Sequence, residues 1–94
     1  MKTVDFSKKF KNYKGDEIGK PIYEELSMVL FNAGISDLPV AAADKFRAYK
    51  LSTKLISQNG SIDLNEEDVS FLKKFACDAF AAGAYGQILD LVGG

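Results

Sequence analysis

Residues 59 to 68 constrain the fold more than any other stretch, because they stop one helix and start another with almost nothing between. Asn59-Gly60 pairs the two residue types that best tolerate the left-handed conformation ending a helix. Asn65 followed by Asp68 at the third helical position resembles a capping box, with Leu64 and Val69 placed as a hydrophobic staple. Two helices therefore have to be joined by Ser61 to Leu64, and Ser61 to Asp63 is predicted as a short strand.

Helical periodicity extends in both directions from this link. Upstream, a helix is predicted from about Val40 to Gln58. Ala42, Phe46, Tyr49 and Ile56 form one apolar stripe on it, Ala48, Leu51 and Leu55 a second, and Arg47, Lys50 and Lys54 a basic third. Two apolar stripes predict packing on two sides. Further upstream, Ile22, Leu26, Val29, Leu30 and Ala33 keep helical spacing, with Glu24 and Glu25 in the first turn, where the helix dipole favours acids, and Gly34 after the last periodic residue. Downstream of the link, Val69, Leu72, Ala76, Ala79 and Phe80 give the third helix its apolar face. Gly83 and Gly86 are read as a break or bend before a short last helix carrying Tyr85, Ile88, Leu89 and Val92, which stops at Gly93-Gly94.

The amino-terminal part differs in character. Residues 1 to 20 carry six lysines against Asp5, Asp16 and Glu17, whereas the remainder is net acidic, and the chain as a whole has a formal charge of −1. Alternating apolar residues in Val4 to Phe10, then turn residues from Tyr13 to Pro21, predict a β-hairpin with its reversal near Lys14 to Asp16. The expected fold class is α+β and α-rich: an amino-terminal β-hairpin followed by three or four packed helices. A single domain over 1–94 is expected, with 1–21 the basic hairpin segment and 22–94 the helical part.

Composition removes several chemistries. There is no histidine, the usual central residue of metal sites, catalytic triads and proton shuttles near neutral pH. Asn59 to Glu66 resembles the second half of a calcium-binding EF-hand loop, but counting back puts Leu55 at the first ligand position, where no side-chain oxygen is offered. Glu66, Glu67 and Asp68 are accounted for by the helix dipole. The serines have no base beside them, and no glycine pattern builds a phosphate cradle. Cys77, the one cysteine, reads as a half-buried small hydrophobe beside the third helix's apolar face and points to a reducing setting. No apolar run approaches the roughly 20 residues of a membrane span. Neither an enzyme, a metal site nor a cofactor is expected.

What remains is binding surface. Seven Phe and four Tyr are more than so small a domain hides, and Phe6, Phe10, Tyr13, Phe31, Phe71 and Phe75 are the candidate protein-binding residues, for a protein partner or for a second copy in a homo-oligomer. The alternative is nucleic acid. Lysines interleaved with aromatics suit single strands, which implicates Lys8, Lys9, Lys11 and Lys14, extended by Arg47, Lys50 and Lys54.

The order of features resembles a loose group of roughly hundred-residue proteins encoded by bacteriophages and prophages. The likeness lies in Phe6 to Phe10 leading to Asn12-Tyr13-Lys14-Gly15, in Val29 to Ala33, in Lys45 to Leu51, in Ile62 to Val69, and in Gly86 to Leu91. It implies an accessory protein that acts by binding, as a virion or tail-assembly component or an inhibitor of a host factor. The location it implies is the cytoplasm of a bacterial host or the virion.

Overall fold

The computed structural model describes residues 2–33 and 42–93. Four strands and four helices follow one another: β1 (Lys2–Asp5), β2 (Lys9–Lys11), β3 (Glu17–Pro21), α1 (Ile22–Phe31), α2 (Ala42–Ser57), β4 (Ser61–Leu64), α3 (Glu66–Ala79) and α4 (Ala82–Val92). The α-rich α+β class, with its amino-terminal hairpin and four helices, is as the sequence predicts. The expected extensions to Gly34 and Val40 lie outside the described residues.

The hairpin is shorter than expected. Val4 to Phe10 is two strands rather than one. β2 and β3 form the antiparallel hairpin, Lys11 opposite Glu17 and Phe10 opposite Ile18, whereas β1 leaves it to pair with β4, Val4 opposite Ile62. Asn12 builds the reversal, its side-chain oxygen accepting from the amides of Lys14 (2.9 Å) and Asp16 (3.1 Å), and Gly15 adopts a φ of 88°. Between β1 and β2 the Ser7 hydroxyl and amide, with Lys8 nearby, hold the Asp5 carboxyl below its ordinary value.

The segment joining these strands is what starts α1. Pro21 is the N-cap and has no side-chain donor or acceptor to offer. The orphan amides of Ile22 and Tyr23 donate instead to the carbonyls of Lys8 (2.7 Å) and Phe6 (3.0 Å), and the Phe6 amide donates to the Gly60 carbonyl (2.7 Å). Phe6 is thereby pinned where β1, the end of α2 and the start of α1 meet, and it is fully buried.

α1 and α2 run back to back. Buried Ser27 and Ser52 face each other across the seam, the Ser27 hydroxyl donating to the Ser52 carbonyl at 3.3 Å, and these small residues let the backbones approach. Leu26 and Leu30 from α1, Ala48, Leu51 and Leu55 from α2, Ile62 and Leu64 from β4, Leu72 and Ala76 from α3, and Ile88 and Val92 from α4 join Val4 and Phe6 in one cluster of buried residues. The capping box at Asn65 is formed with both reciprocal hydrogen bonds, Asp68 amide to Asn65 Oδ1 at 2.8 Å and Asn65 amide to Asp68 Oδ2 at 3.3 Å. Gly83 and Gly86 do not break the chain. The interruption falls at Phe80–Ala81, and both glycines lie inside α4, which ends at Gly93 in the left-handed region. Lys2 Nζ donates to the Val92 carbonyl, placing a cation at the negative end of that helix.

Candidate functional site

The candidate aromatics separate into two groups once folded. Phe6 is fully buried and Phe75 is 5% exposed, so these two are core residues, not contact residues. Phe6 is enclosed because the chain around it caps α1, and Phe75 because it shares the inward face of α3 with Leu72 and Ala76. Phe71 is half-buried and stacks on Phe75, ring centroids 5.7 Å apart. Phe10 is half-buried against Phe80 at 6.4 Å. Phe31 and Tyr13 are exposed. Cys77 is exposed as well, contrary to the half-buried expectation, because the inward turn of α3 is filled by Leu72, Phe75 and Ala76.

A larger surface forms where the sequence predicts packing. Of the two apolar stripes on α2, Ala48, Leu51 and Leu55 face the core, but Phe46, Tyr49 and Ile56 are 58%, 51% and 53% exposed. α1 contributes Met28 and Phe31, at 56% and 64%, to the same side. Phe31 and Tyr49 contact across the helix seam with centroids 6.1 Å apart, and Phe46 stacks on Tyr49 at 6.3 Å. Beside them Met28, Phe31 and Ile56 line an apolar groove of about 610 Å³, floored by Ser27 and Ser52 and closed at one end by Lys20, Glu24 and Glu25. Thr53, on the same turn of α2, also lines it. That threonine, midway between Tyr49 and Ile56, is the signal in the sequence that this stripe is not a core stripe.

The basic stripe is not a free run of cations. Arg47 reaches the start of α3 and forms ion pairs with Asp68 (2.8 Å) and Glu67 (3.1 Å). Its hydrogen bonds to Glu67 and then Asp68 raise the guanidinium above its ordinary value, so its charge is spent locally. Lys54 donates to the Asp63 carbonyl at 2.9 Å, and the Lys50 ammonium lies 4.8 Å from the centre of the Phe46 ring. In the hairpin, Lys8, Lys9, Lys11 and Lys14 are exposed, with Lys14 5.7 Å from the ring centre of Tyr13.

A smaller groove of about 410 Å³ separates the hairpin from α4, lined by Phe10, Ile18, Phe80 and Gln87 among others. Gln87 clamps β2 there, accepting from the Lys11 amide at 2.7 Å and donating to the Lys11 carbonyl at 2.9 Å, so it serves as a one-residue strand partner. Among the described residues no helix is long and apolar enough to cross a membrane, and no group of three or more acidic or cysteine side chains is placed to hold a metal ion. Set against known proteins, the chain matches no protein-family model, no curated protein and no solved structure.

Proposed function

We propose that this protein is a non-enzymatic association module whose working surface is the outward face of α1 and α2. The observation that carries the reading is the contiguous exposed set Met28, Phe31, Phe46, Tyr49 and Ile56. Single exposed apolar residues are ordinary on any protein, but five large ones on adjoining helices, three of them linked by ring contacts through Tyr49 and three lining one groove, amount to a patch of the kind that marks contact with another macromolecule. Aromatics and methionine are also the side chains enriched in the centres of such contacts. The resemblance to small phage-encoded proteins agrees in kind, since it implies action by binding, in assembly or in blocking a host factor.

A second reading has one specific observation behind it. Tyr13 is 93% exposed at the tip of the lysine-bearing hairpin, an arrangement suited to stacking and neutralising a single-stranded nucleic acid.

One experiment addresses both. The photoreactive residue p-benzoyl-phenylalanine replaces Phe46, Tyr13 or, as a control on exposed α4 surface, Asp90, and bacterial cells expressing each variant are irradiated. The expected result is discrete protein adducts from position 46, insensitive to nuclease, and none from position 90. Equal labelling at 46 and 90, or no adducts at 46, overturns the association surface. Adducts at position 13 that collapse with nuclease promote the second reading.

A further inference from the structure

We infer that the occupant of the α1/α2 face is a second copy of this chain, docked face to face about a two-fold axis that lies in the plane of the interface and runs across the helices; this rests on the reading of that face as an association surface. The argument is charge complementarity. One end of the face carries Glu24 and Glu25 of α1, beside Ile56. Lys20 sits at that end too, leaving it net acidic by one. The other end carries Phe46 with exposed Lys45 and Lys50 flanking it, a basic end. Along α2 the two ends are ten residues apart, about 15 Å at the helical rise.

A two-fold operation brings each end of one copy over the opposite end of the other. The acidic end then meets the basic end twice, while Met28, Phe31 and Tyr49 meet their equivalents near the axis, and the four helices form a bundle. Rotation to the other relative direction sets acid on acid and base on base. Like-charge juxtaposition disfavours that arrangement and fixes the register. Arg47 and Lys54 take no part, being paired with α3 and β4. Net charge adds no obstacle, because at −1 per chain two copies do not repel each other in bulk.

The test uses two charge-reversed proteins. Glu24→Lys with Glu25→Lys makes both ends basic, and Lys45→Glu with Lys50→Glu makes both ends acidic. Light scattering of the wild type across a concentration series is expected to reach twice the 10.3 kDa chain mass. Each reversed protein alone is expected to dimerise at least about tenfold more weakly, since exposed ion pairs of small individual worth are lost twice over and replaced by repulsion. An equimolar mixture of the two is expected to recover the dimer, because every acidic end again finds a basic one. Circular dichroism checks that each variant is folded, and Phe31→Ser with Tyr49→Ser provides a loss of the dimer without any change of charge. A wild type that stays monomeric at all concentrations overturns the inference. A wild-type dimer that the mixture fails to restore overturns the two-fold register. Adducts from position 46 to a different protein, with a monomeric wild type, refute self-pairing and leave the association surface standing, whereas no adducts at all refute both.

Discussion

At the scale of single residues, Asn65 does more than its exposure suggests. Its side chain and that of Asp68 satisfy two amides that helix geometry leaves without partners, and Asp68 in turn receives Arg47 from α2. The cap is therefore also the anchor of a cross-helix ion pair. Asn65→Ala is expected to lower stability by about 1 kcal/mol, the usual cost of losing an N-cap. A denaturant melt checks this, with a lower midpoint and an unchanged slope as the expected outcome. The residue pattern made this cap legible from sequence alone because capping is local, decided by four consecutive positions.

Elements show where locality ends. Gly60 and Gly86, each expected to interrupt a helix, separate sharply in the fold. Gly60 has a φ of 89°, and a Cβ there meets Tyr23 Cδ1 at 2.6 Å, so the turn between α2 and β4 depends on the absence of a side chain. Gly86 lies inside α4 with nothing near its missing Cβ. Gly60→Ala is expected to destabilise by about 2–4 kcal/mol through left-handed strain and overpacking. Gly86→Ala, in contrast, is expected to stabilise by up to about 1 kcal/mol through helix propensity. Thermal melts of the two proteins, compared with the parent, give opposite shifts if this is correct. The elements themselves were largely legible: the helices fall where apolar spacing places them, and Ser61 to Leu64 is a strand. The split of Val4 to Phe10 was not legible, because nothing near Phe6 in sequence announces that its backbone will bond to Gly60 and Tyr23.

For the whole molecule, the lesson concerns which apolar face turns inward. Periodicity on α2 marks two stripes of similar strength, and only the fold decides that Ala48, Leu51 and Leu55 meet the core while Phe46, Tyr49 and Ile56 meet solvent. The core fills one side of α2 with α1, β4, α3 and α4 already sharing it, and no described element covers the other. Phe31, Phe6 and Phe75 all read as surface candidates from sequence, yet Phe31 alone of the three is exposed and the other two lie in the core. If the exposed face is closed by a second copy, stability is tied to association, and the melting temperature is expected to rise with protein concentration. A dimer-disrupting change at Tyr49 and Phe31 is expected to abolish that dependence while leaving the dilute-limit melting temperature close to the parent's, as differential scanning calorimetry over a hundredfold dilution would show.

The pairing of β1 with β4 also sets an order of events during synthesis. Thr3 bonds to Asp63, a separation of sixty residues, and Val4 lies opposite Ile62. Because chains are made amino terminus first, β1 is released long before its partner strand exists, and Lys2 to Asp5 wait unpaired while the local α1/α2 pair assembles. Pairing of β1 with β4 is then a late step, since β1 waits for a strand made about sixty residues after it.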